Sequence, residues 1–211
     1  MKKLNKDLFG WMVAAILGGV LASAGFQAAP ESMAVVDLQK VIKGSELYKV
    51  KEAEFTAEVA SRQNLLKFIN DNRVITVEQW RTLRENSLNA KASDADKAEL
   101  QKVKDAISAN TKKLADLQVK ANKTADDVTL MEEYQRYVQQ VQVTARDLQD
   151  QFSRELPKLQ DDAAKVVEDA ARIAVGAIGK EQGYTIVFDT LAAPYGAHDI
   201  TADSLTRMNK K

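Results

Sequence analysis

The 211-residue chain has no cysteine, which removes disulfide frameworks, thiolate nucleophiles, cysteine-linked lipid anchors and cysteine-based metal sites from consideration. Histidine occurs once, as His198, in the turn before the last expected helix. A metal ligand needs partners, and the sequence places none beside it, so His198 reads as a surface or capping residue. Aromatic residues make up only 6% of the chain while charged residues reach 28%, a balance that suits long solvated helices better than one thick core. Net charge is also missing, with 30 basic against 30 acidic residues. Without the first 24 residues, which hold three lysines and one aspartate, 27 basic and 29 acidic residues remain, which argues against nucleic acid as a partner. No Ser/His/Asp order, nucleophile elbow or pair of strand-borne carboxylates is present. The run Gly176-Ala177-Ile178-Gly179-Lys180 lacks phosphate-loop spacing and follows a helix, so it reads as a loosening helix end with Gly183 at its C-cap. The expectation is a protein that is not an enzyme, with no cofactor, no metal and no use of ATP.

One long hydrophobic run is present. Lys2, Lys3 and Lys6 precede the 17 residues from Leu8 to Ala24, and Ala22-Ser23-Ala24 has the small-x-small pattern accepted by signal peptidase. Residues 1–24 are therefore expected to be a signal peptide cleaved after Ala24, the alternative being an uncleaved anchor that extends to about Ala29. In either case the basic end stays inside and the rest crosses the inner membrane. The body is expected to be extracytoplasmic, diffusible or anchored to the membrane.

Two strand-bearing flanks bracket a long helical stretch. The first gives a strand over Ala34–Asp37 running into a helix, and the second a strand over Tyr184–Asp189, a turn at Ala193-Pro194 and a last helix capped by Thr201. A small β-containing body is thus expected from residues 33–44 and 181–211, with a helical arm over 45–180. From Met131 the apolar residues step by three and four: Met131, Tyr134, Val138, Val141, Ala145, Leu148 and Phe152, then Leu159, Ala163, Val166, Ala170, Ile173 and Ala177. That is a coiled-coil seam about 70 Å long, interrupted at Pro157, with a kink expected near Ser153–Leu156 and the seam resuming in phase. On the outgoing side, capping boxes Thr76/Gln79, Ser93/Asp96 and Thr124/Asp127 divide the stretch into helices of about 26, 15, 29 and 55 residues. This pattern predicts a long antiparallel hairpin with its tip near 121–124 and the Thr76–Asn89 segment inserted along the outgoing side. Residues 45–123 carry 15 basic and 12 acidic residues and residues 124–180 carry 7 and 11, signs that favour pairing of the limbs or simply describe a solvated surface. Asn110 falls on a seam position, as a register device or a solvated gap.

Leu65, Phe68, Trp80 and Tyr137 fall off the seams. They are candidate contacts for a partner, or they pack against the short inserted helix, which is the preferred reading for Trp80. The two or three short strands of the body form a sheet too small to stand alone. Joining the strands of several subunits would bury Val35, Ile186, Val187 and Phe188 together.

The segments MAVVDLQKVIKGSELYKVKEAEF and EQGYTIVFDTLAAPYGAHDITADSLTRMN resemble the two ends of the Skp/OmpH family, periplasmic holdase chaperones of outer-membrane proteins. The resemblance spans Met33 to Asn209. It implies a mainly α fold with a small β trimerisation body, from which coiled-coil hairpins project to enclose a cavity. It also implies a homotrimer that holds unfolded outer-membrane β-barrel proteins without ATP. The best-known members are basic whereas this mature chain is near neutral, so no lipid-binding residues are carried over. The rival reading is a membrane-anchored coiled-coil spacer or adaptor of the cell envelope.

Overall fold

The computed structural model describes residues 32–210. The segment expected to be a signal peptide, with Ala22 and Ala24, lies outside them. The elements in chain order are β1 (Met33–Val36), α1 (Leu38–Gly44), α2 (Glu46–Asp71), α3 (Val77–Leu88), α4 (Asp94–Val119), α5 (Ala125–Glu181), β2 (Ile186–Asp189) and α6 (Thr201–Asn209). They fall into two compact units, residues 32–55 with 158–210 and residues 56–157.

In the first unit the two strand-bearing flanks meet. β1 and β2 pair in parallel, with Met33 opposite Ile186, Ala34 opposite Val187, Val35 opposite Phe188 and Val36 opposite Asp189. A parallel pair requires a crossover of at least a dozen residues, and here everything from Asp37 to Thr185 supplies it. The other edge of β1 is also used: the Val35 N–H donates to His198 O at 2.8 Å and the Ile200 N–H to Val35 O at 2.9 Å. Strand alternation sends Ala34 and Val36 inward, onto Leu38, Val41 and Ile42 of the first flank and Val167, Ala171 and Ile178 of α5.

Several boundaries differ from expectation for local reasons. β1 ends at Val36 because Asp37 caps α1, its Oδ1 accepting the Lys40 N–H at 2.9 Å. β2 begins at Ile186 rather than Tyr184, because Tyr184 completes the end of α5. There Gly183 has φ of 77°, its N–H reaches Lys180 O at 3.2 Å and the Tyr184 N–H reaches Gly179 O at 2.8 Å, a Schellman cap. The turn after β2 forms at Asp189–Ala192, before Ala193-Pro194, with Asp189 Oδ1 accepting the Leu191 N–H at 2.8 Å. Thr201 is not a cap. It is the first residue of α6, and its Oγ1 accepts the Asp37 N–H at 2.8 Å while donating to Asp199 Oδ1 at 2.5 Å. The side chain joins the two flanks of the chain instead of closing a helix end.

In the second unit, α3 docks on the flanking helices. Leu83 of α3 is fully buried with Leu65 and Ile69 of α2, Ile107 of α4 and Val141, Leu148 and Phe152 of α5. All three expected capping boxes are present. Thr76/Gln79 opens α3, Ser93/Asp96 opens α4, and at α5 the Thr124 N–H donates to Asp127 Oδ2 at 2.8 Å while Thr124 Oγ1 accepts the Asp127 N–H at 3.2 Å. Asn110 does have a partner, since the Tyr134 hydroxyl of α5 donates to its Oδ1 at 3.2 Å.

The seam of α5 is only half as expected. Up to Phe152 the buried residues are those of the 3-4 pattern. Beyond Pro157, which lies within a continuous helix, the buried residues are Val167, Ala171, Ala174 and Ile178, one position later than the expected seam. Leu159, Val166 and Ile173 are exposed instead. The reason is the partner: in the first unit α5 packs against β1, α1 and Ile200, and that surface, not a single facing helix, selects which side of α5 is buried.

Candidate functional site

The four off-seam residues all belong to the second unit. Leu65 is only 2% exposed and belongs to the hydrophobic core, so it serves packing and offers no surface to a partner. Phe68 and Trp80 pack against the same core while remaining half-buried, and the Lys104 ammonium lies 5.6 Å from the Phe68 ring centroid. Tyr137 is half-buried on α5 and donates to Glu133 Oε1 at 2.9 Å. That hydrogen bond, followed by burial and the charges of Glu133 and Glu78, raises its phenol above the ordinary range. Three of the four therefore retain accessible aromatic surface, and Phe68 and Tyr137 have charged neighbours.

Arg62, a polar lapse in the α2 seam, is another feature of this unit. Its guanidinium lies 5.3 Å from the Phe152 ring centroid, pairs with Glu58 and reaches Glu155 Oε2 at 3.5 Å. A helical pattern reads Arg62 as a gap, because its ring partner Phe152 and its second carboxylate, Glu155, come from α5, 90 or more residues away in sequence. At the α4–α5 turn, Lys120 pairs with Asp127. The Lys120 hydrogen bond, with the Thr124 N–H behind it, holds the Asp127 carboxyl at about 2.

In the first unit the four candidate body residues divide by face. Val187 points inward with Ala34 and packs on the unit's own core. Val35, Ile186 and Phe188 are on the opposite face. Val35 is covered there by the loop at Gly196, where an added Cβ would collide with Val35 Cγ1. Ile186 and Phe188 are half-buried, Met33 and Tyr195 lie with Phe188 around one groove, and Leu191 in the turn after β2 is also exposed, Tyr195 being 94% exposed. A shallow groove of about 450 Å³ runs between Met33, Phe188, Tyr195 and His198. The outer edge of β2 pairs with no strand among the described residues. Sequence reasoning missed Met33, Leu191 and Tyr195 because nothing local distinguishes an apolar residue at a strand start or in a turn from one that folds inward.

His198 is exposed, with its ring 5.5 Å from that of Tyr184, and its carbonyl supports β1. Among the described residues no group of His, Cys, Asp or Glu is placed to hold a metal ion. No helix among them is long and apolar enough to cross a membrane.

The class is thus a mainly helical protein whose two chain ends build a small parallel β-pair around a long helical crossover. Residues 32–208 match the family described as outer membrane protein (OmpH-like), and the chain belongs to that family. No curated protein matches it. Members of the family are periplasmic chaperones of outer-membrane proteins rather than enzymes, the role indicated in general terms for this chain.

Proposed function

We propose that the protein is an ATP-independent holdase that keeps unfolded outer-membrane β-barrel proteins soluble in the periplasm, acting as a homotrimer. The family match over residues 32–208 carries this reading. In it residues 33–44 and 181–211 form the trimerisation body, and the open edge of β2 with Ile186, Phe188 and Met33 meets the corresponding surface of the next copy. Residues 45–180 form the arm, a coiled-coil hairpin turning near 121–124, and three arms enclose the client cavity. Phe68, Trp80 and Tyr137 are the proposed client contacts. An unfolded barrel strand alternates apolar and polar residues and aggregates through its unpaired edges. Weak aromatic contacts spread among charges retain such a chain by multivalency, without a deep pocket.

The test is dilution of a urea-unfolded outer-membrane barrel into buffer holding the purified protein, without ATP, while light scattering is followed. Suppression that saturates near one trimer per client is the expected result. Unabated aggregation in the presence of a folded trimer would transfer the assignment to an envelope spacer.

A further inference from the structure

The 12 residues of α3 dock in the second unit through a sparse inner face. Leu83 is its one fully buried residue, and Trp80 and Leu88 pack against the same core while half-buried. Ser87 lies on that face one turn beyond Leu83, and its hydroxyl is buried without a hydrogen-bond partner. A desolvated, unpaired hydroxyl weakens the docking. Two side-chain hydrogen bonds tie α3 to its neighbours, Arg84 Nη2 donating to Gln151 Oε1 at 3.2 Å and Asn86 Nδ2 to the Asp96 carbonyl at 3.3 Å. An element with so few buried contacts belongs to the low end of local stability.

The surrounding chain lets α3 leave its place. Non-helical segments 72–76 and 89–93 flank it. Val74 and Ile75 anchor the first, whereas the second is largely exposed. Five extended residues span up to about 17 Å, enough for the C-terminal end of α3 to lift while its neighbours stay helical. Those neighbours also meet without it: Arg62 of α2 reaches Phe152 and Glu155 of α5, and Asn110 of α4 accepts from Tyr134 of α5.

Beneath α3 lies an apolar surface that includes Ile69 of α2, Ile107 of α4 and Val141 and Leu148 of α5. At 1.5 Å per residue the helix covers about 18 Å of it. An extended barrel strand covers that length with about five residues and turns about three apolar side chains to one face. Trp80, Leu83 and Leu88 of α3 supply the same number. We propose that α3 is a displaceable strap over a second client site, and that an extended apolar–polar segment of the unfolded barrel takes its place on this surface. This site rests on the holdase reading.

The test is amide exchange of the full-length, exported protein, with and without a urea-unfolded outer-membrane barrel, under conditions where light scattering shows the barrel held soluble. Amides of residues 77–88 are expected to exchange at least tenfold faster with the barrel bound. In a second measurement the cysteine-free chain receives Arg84→Cys and Gln151→Cys, joined by a short bismaleimide. The cross-linked protein is expected to need at least fivefold more protein than the same variant before cross-linking to suppress aggregation. Unchanged or slower exchange in α3 while the barrel is held, or undiminished suppression by the cross-linked protein, overturns this inference and leaves the holdase reading standing. A wild-type protein that does not hold the barrel overturns both.

Discussion

At the scale of single residues, the interactions that matter join positions far apart in sequence. Gly196 lies against Val35 with no room for a side chain. Gly196→Val is expected to lower stability by about 1–3 kcal/mol through forced displacement of the loop, read from urea unfolding. Leu83 is fully buried, and Leu83→Ala removes side-chain volume where α2, α4 and α5 converge. A loss of about 2–5 kcal/mol is expected in the same measurement, with faster amide exchange in α3. Asp127 sets a pH dependence. Its carboxyl is lowered from an ordinary 3.8 to about 2, so its contribution is complete above about pH 4 and is lost as the pH falls through 2. NMR titration of the Asp127 side chain should follow that window, and Asp127→Asn should abolish the acid-dependent opening of the α4–α5 turn seen by amide exchange.

At the scale of elements, α5 is where pattern and packing separate. Its 57 residues carry one heptad pattern, but two different surroundings choose which side is buried. Adjacent residues therefore have opposite roles. Val167→Asp, which places an unpaired charge in the core of the first unit, is expected to cost more than about 3 kcal/mol. Val166→Asp should leave urea unfolding of the isolated subunit nearly unchanged. Equal losses for the two variants would refute the frame described for α5. The helix ends, by contrast, were legible residue by residue: the capping boxes at Thr76, Ser93 and Thr124 need only three-residue spacing, and Gly183 needs only its positive φ. Thr201 was misread because a threonine before a helix has the same signature whether it caps that helix or, as here, accepts the N–H of Asp37 164 residues away.

At the scale of the whole molecule, the parallel pairing of β1 with β2 brings the two flanks of the helical stretch together and leaves a two-stranded sheet with an open edge. A sheet of that size gains stability from partners. If the homotrimer reading holds, Phe188→Asp on the outward face should lower the assembled mass in sedimentation, whereas Tyr137→Ala should leave the mass unchanged and weaken only the suppression of client aggregation. These paired readouts separate assembly from client contact.

The sequence by itself determined the family, the helix count between the strands, the capping boxes and the α4–α5 turn, because each depends on residue types at short fixed spacing. Only the tertiary structure decided that Leu65 is core, that Arg62 sits on Phe152 between two carboxylates, and that α5 buries Val167 rather than Val166. Neighbouring positions on a helix differ by about 100° of rotation, and a periodic pattern marks an apolar face without saying which other surface will cover it. That choice belongs to whatever the fold sets opposite, which for α5 beyond Pro157 is a strand and a short helix from the other end of the chain.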